Sequence, residues 1–194
     1  MKKTLFNPFE KYSEKQLFVT GITMAAVCSL VAYYLNARFD GILDMHIVKN
    51  VRFDAPFIDN LINIVTLTLL LFAAALIVNK KTRIIDILNT VLIARIIYCF
   101  LPIFNPEFIS PGIDEKLLSI DPKDPQSLNL TALDYTAIGI TAIVMIGALV
   151  WYIALLYNGF KTASNSKKIT HTIAFILAII IAEIVSSLLI STIN

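Results

Sequence analysis

Apolar runs about twenty residues long alternate with short polar breaks along this chain, at roughly 16–37, 57–79, 84–104, 134–158 and 169–193. Each is long enough to cross a hydrocarbon core of about 30 Å as a helix. Their interiors hold almost no charge, and the period-two alternation of barrel strands is absent. Only helices and closed barrels satisfy the backbone in lipid, so helices are predicted. The pattern therefore predicts an all-α fold: a polytopic transmembrane bundle of five spans, with a short head over 1–15 and outer loops over 38–56 and 105–133.

The breaks add detail. Residues 80–83 and 159–168 are short, so spans two and three, and spans four and five, are predicted to be antiparallel neighbours. The 38–56 break is moderately apolar and has room for a short interfacial helix. The 105–133 break carries Pro106, Pro111, Pro122 and Pro125 with Gly112, which forbids a long helix there. Asn129-Leu130-Thr131 within it matches the glycosylation acceptor pattern.

Composition excludes the soluble class: 57% of residues are hydrophobic and the mean hydropathy is +0.77. The lipid bilayer is the first partner implied, and no stretch is left for a separate soluble domain. The basic residues sit at span ends without a continuous patch, which argues against nucleic acid. They do set orientation. Lys2, Lys3, Lys11, Lys15, Lys80, Lys81, Arg83, Lys161, Lys167 and Lys168 make ten on one side, against Arg38, Lys49, Arg52, Lys116 and Lys123, five, on the other. The richer side is predicted to be cytoplasmic, with the N-terminus in and the C-terminus out. The first apolar run is too long for a signal-peptide core and reads as a retained span. Cys28 and Cys99 fall within spans, away from oxidising enzymes, and read as small buried hydrophobes with no disulfide.

The motifs of soluble enzymes are missing: no phosphate loop, Cys-x-x-Cys, His-Glu-x-x-His or Gly-x-Ser-x-Gly occurs. His46 and His171 belong to opposite sides and cannot share a metal. No catalytic, cofactor or metal-binding set is predicted. Two ionisable residues lie deep in spans, Arg95 and Glu183, each costing about 2.5–3.5 kcal/mol if left alone. By helical rise they sit about 17 and 21 Å in from the same side, close enough for an Arg95–Glu183 pair between spans three and five. Such a pair would glue the bundle or serve transport or a proton relay. Asp59, Asn63 and Thr66 share one face of span two, either lining an outer crevice or forming a capping turn. Small residues recur at i+4 spacing as Gly21, Ala25 and Ser29 in span one and as Ala174, Ala178, Ala182 and Ser186 in span five. Ladders of this kind let helix backbones approach closely in lipid.

The five-span N-in, C-out layout and two stretches, the head Leu5-Phe6-Asn7-Pro8-Phe9-Glu10 and the junction running from Trp151-Tyr152-Ile153 through Leu156-Tyr157-Asn158-Gly159, together resemble the Yip family of Ypt/Rab-interacting membrane proteins, in particular its bacterial branch. The Asp-Leu-Tyr-Gly-Pro-type element of eukaryotic members is not intact in this chain. The resemblance implies a non-enzymatic integral protein of a bacterial cytoplasmic (inner) membrane, working through helix contacts with itself or other membrane proteins. The rival reading is a small-solute or ion transport protein, or a transporter's membrane subunit, built on Arg95, Glu183 and the Asp59–Asn63 face.

Overall fold

The computed structural model describes residues 5–119 and 129–193. Lys2, Lys3, Pro122, Lys123 and Pro125 lie outside them. Five helical segments among the described residues are long and apolar enough to cross a membrane.

The first, α1 (Glu14–Tyr34), starts where Ser13 and Gln16 form a reciprocal capping box that satisfies two otherwise unpaired N–H groups. The second, α2 (Ala55–Val78), has Pro56 in its first turn, where a missing N–H costs nothing. Span three begins as α3 (Ile84–Ala94) and continues as 3₁₀ turns over Arg95–Cys99 and Leu101–Phe104. The change begins at Arg95; further on, Pro102 has no N–H for the Tyr98 carbonyl and its ring crowds that turn, so the α-pattern cannot resume through to 104. After a 3₁₀ turn at Pro106–Phe108 comes a short helix, α4 (Ile113–Leu118). The fourth span, α5 (Ala132–Ser164), opens with a second capping box, Thr131 with Asp134, and ends at Asn165 in the left-handed conformation. The fifth is α6 (Ile169–Ile193). In place of the interfacial helix expected in 38–56 there is a two-stranded antiparallel hairpin, β1 (Ala37–Arg38) with β2 (His46–Ile47).

Span three is the centre of the bundle, packed by α1, α2 and α5, and α6 lies along α2. Spans two and three are neighbours as expected. Spans four and five are not paired along their lengths. They meet near the 165–168 turn, where Phe175 packs on Tyr157 and Phe160 and the Tyr157 hydroxyl meets Thr172 Oγ1 at 3.1 Å, and α6 then follows α2 instead. The short turn sets where α6 begins, while its small-residue face decides which helix it follows.

That face is buried. Ala178, Ala182 and Ser186 are inside the protein and Ala174 is half-buried, with Ile179 buried beside them. In α1, Gly21 and Ser29 are buried and Ala25 half-buried. A Cβ on Gly21 would sit 2.6 Å from Leu92 Cβ, so only glycine lets α1 and α3 approach this closely. The close approach also corrects the reading of the cysteines: Cys28 and Cys99 are joined in a disulfide, with Cα atoms 4.4 Å apart. Compartment alone argued for free thiols, but packing α1 on the 3₁₀ turns puts the two side chains face to face.

Candidate functional site

The polar residues of the spans converge on the segment Ala37–Leu43, which follows α1 and turns down into the far end of the bundle. Its Phe39 and Ile42 are fully buried. Non-helical backbone inside a bundle must find partners within the protein; three span residues provide them, and a fourth, Asp59, holds the Arg38 side chain. Asp59 of α2 accepts both prongs of the Arg38 fork, Nε at 2.6 Å and Nη2 at 2.8 Å. Those hydrogen bonds, outweighing desolvation, raise the Arg38 pKa. Asn63 donates through Nδ2 to the Phe39 carbonyl at 3.1 Å, and the Tyr98 hydroxyl donates to the Ile42 carbonyl at 2.8 Å. Glu183 of α6 accepts the Leu43 N–H through Oε2 at 2.8 Å. Gly41 makes room for it, because a Cβ there would collide with the Glu183 carboxylate.

Asp59, Asn63 and Thr66 thus do share one face of α2, at 1%, 0% and 7% exposure. Arg38 and Phe39 cover Asp59 and Asn63, and Asp59 borders a surface hollow of about 160 Å³ beside Arg38 and Arg52, while Asn63 and Thr66 do not line it. The face is not a capping turn, since the helix N-cap is Asp54, five residues earlier.

The expected Arg95–Glu183 ion pair is not formed. Arg95 donates through Nε to Asn60 Oδ1 at 2.8 Å, and its guanidinium carbon stands 5.6 Å and 5.0 Å from the ring centres of Phe39 and Tyr98. Asn60 is in turn fixed by donating to the Ala25 carbonyl and Ser29 Oγ. Matching depths on two independent helices suggested the pair, but the descending segment gives each residue a nearer partner: ring faces for the cation, a backbone N–H for the carboxylate. The arrangement is not fully satisfied. Arg95 Nη1 and Nη2, Tyr152 Oη and Asn63 Oδ1 are buried without a hydrogen-bond partner.

A second polar group closes the basic end. Arg83 binds Glu14 at 2.5 Å and Asp86 at 2.6 Å, tying α1 to α3, and the two carboxylates, Asp86 first, raise its pKa. The head is strapped to α5: Trp151 donates to the Leu5 carbonyl at 2.9 Å and Asn158 to that of Phe6 at 2.8 Å. Beneath the strap runs an apolar groove of about 330 Å³. His46 pairs with Asp40 at the far end, and His171 meets Ser166 at the basic end, so the histidines are apart as expected. Among the described residues no group of three or more His, Cys, Asp or Glu could hold a metal.

The N-terminal half of α5 is loosely packed: Met145 and Ala148 rest against the core and Thr141 donates to the Phe104 carbonyl at 3.0 Å, but the helix is otherwise open there. None of residues 138–150 is buried. A Cβ added at Gly139 or Gly147 would meet nothing within 4 Å, whereas one at Gly159, lower on the same helix, would run into Thr90. The helix has 33 residues, about 50 Å, well over the bilayer core, so it must tilt or protrude.

The chain matches no family model, and neither a curated protein nor a solved structure matches it.

Proposed function

We propose that this is a non-enzymatic integral membrane protein of the Yip type, acting in membrane organisation or assembly through helix contacts between α5 and another membrane protein or a second copy of itself. The reading rests on one observation: two glycines two turns apart on an apolar helix, Gly139 and Gly147, have nothing packed against them. Small residues on a spanning helix allow a neighbouring backbone to approach, and helices in lipid associate chiefly through such packing. The other small-residue faces are already used within the bundle, which leaves this one for a partner. Burial of the Asp59–Asn63–Thr66 face supports assembly over the transport reading, because transport needs polar groups along a continuous path. The charge asymmetry supports a cytoplasmic N-terminus in a bacterial inner membrane, with the α5 face in the outer half of the bilayer.

The test is energy transfer between donor- and acceptor-labelled protein, alone and with solubilised native membranes, after reconstitution in liposomes. Gly139→Leu and Gly147→Leu are expected to abolish specific transfer or partner recovery while leaving the melting temperature unchanged. Association undiminished by both substitutions would refute the assignment to α5.

A further inference from the structure

We propose that the interior of the bundle holds a binding site for a small monovalent oxyanion of the carboxylate type, received by the free edge of Arg95 and the Tyr152 hydroxyl. The inference is independent of the assembly role of α5.

Arg95 is 2% exposed and Tyr152 fully buried. A guanidinium keeps its charge in any protein environment and offers five N–H donors in a planar fork. Its Nε is committed to Asn60, and the two terminal nitrogens are buried with no partner. What remains is therefore the end of the fork, where Nη1 and Nη2 present parallel N–H bonds. That spacing fits the two oxygens of a carboxylate or a similar planar anion in the bidentate mode. The ring of Tyr98 lies against both groups, 5.0 Å from the Arg95 guanidinium carbon and 5.2 Å from the Tyr152 ring, so they border one small region. The Tyr152 hydroxyl stands beside the Arg95 guanidinium, makes no well-formed hydrogen bond, and supplies a further donor. Asn63 Oδ1, another buried atom without a partner, is an acceptor and adds nothing to an anion.

The protein's own carboxylates are engaged elsewhere. Both oxygens of Asp59 accept from Arg38, and Glu183 accepts from the Leu43 N–H through Oε2. Unpaired buried donors are costly, and more so when charged. Water could relieve the hydrogen bonding but leaves the charge without a counterion. A small oxyanion meets both needs.

The experiment uses the full chain in mild detergent and follows thermal melting at fixed ionic strength in sodium formate, chloride or gluconate. Formate should raise the melting temperature saturably, by about 5 °C at a concentration roughly a hundredfold above its Kd. Gluconate, too large for the site, should not. Arg95→Gln should remove the formate increment. Should that variant fail to fold, Tyr152→Phe keeps the buried ring and should weaken formate binding by about tenfold. Glu183→Gln, which retains an acceptor for Leu43, should leave the increment in place. Melting that is the same in all three salts would mean that water alone fills the site and would overturn the proposal. So would an unchanged formate midpoint in Tyr152→Phe, or loss of the effect in Glu183→Gln.

Discussion

Replacing Arg38 with leucine removes the guanidinium that both oxygens of Asp59 accept from. The Asp59 side chain is only 2% exposed, so the carboxylate left behind is poorly hydrated. A buried charge stripped of its partner costs roughly 3–5 kcal/mol, set by desolvation more than by the lost attraction. The reverse change, Asp59→Leu, leaves Arg38, which is 15% exposed and long enough to turn its head outward. That variant should lose less, about 1–3 kcal/mol. The double replacement buries no charge at all, and its cost should fall short of the sum of the single losses by about 2 kcal/mol or more. Reversible unfolding in mixed micelles, followed by Trp151 fluorescence, measures all three. Losses that add within about 0.5 kcal/mol would show that the pair is not coupled and that Asp59 does not anchor the segment.

Other positions give independent checks. Ala182→Leu forces extra volume into the fully buried α2–α6 contact and should cost about 1–3 kcal/mol, whereas Ile180→Leu, on the exposed side of α6, should be near neutral; equal melting temperatures would place the ladder against lipid. Reducing the Cys28–Cys99 bond, which closes a separation of 71 residues, should destabilise by up to roughly 4 kcal/mol, and thiols titratable in unreduced, unfolded protein would show that the bond is absent. For orientation, cysteines at the exposed positions Ser119 and Lys167, in a background lacking Cys28 and Cys99, should label from opposite sides with an impermeant maleimide. Labelling of Lys167→Cys from outside the cell would reverse the topology.

Much of this architecture could be read from residues alone, and the errors share a cause. Charge-free runs of span length leave few alternatives to helices, so the five spans were legible to within a few residues at most ends, although span four runs six residues past the expected 158, to Ser164. Span three deviates from Arg95 onward, in 3₁₀ turns that begin before Pro102, and the donor missing at Pro102 keeps the α-pattern from resuming. The i, i+4, i+7 spacing placed Asp59, Asn63 and Thr66 on one face, because that follows from helix geometry. What covers the face did not follow, since segment 37–43 carries no periodic signal. A clue was present in Phe39-Asp-Gly41-Ile42-Leu43, four non-polar residues around one acid directly after a span, which is more apolar than a solvated turn requires. Missing that segment also misplaced Arg95 and Glu183, whose partners are on it or beside it. Tyr98 was overlooked, and Tyr152 was read only as part of the Trp151-Tyr152-Ile153 stretch, because a single phenol in a span looks like ordinary membrane sequence until a buried cation stands next to it. The disulfide was missed because compartment was weighed and helix proximity was not, although the Gly21 ladder already pointed to close packing of α1.

The central claim is that Ala37–Leu43 lies inside the bundle, held by polar residues of the spans, and cysteine accessibility measures this directly. In a background without Cys28 and Cys99, Ile42→Cys and Asn50→Cys are compared for their rate of reaction with an impermeant maleimide in intact liposomes. Asn50 is exposed and Ile42 fully buried, so Asn50→Cys should react at the rate of a free thiol and Ile42→Cys at least about a hundredfold more slowly, the protection expected of a site that must open before it reacts. Adding Arg38→Leu should bring the Ile42→Cys rate up toward that of Asn50→Cys. Equal rates for the two cysteines in the otherwise native protein would mean that the segment lies on the surface, and that Asp59, Asn63 and Glu183 do not anchor it.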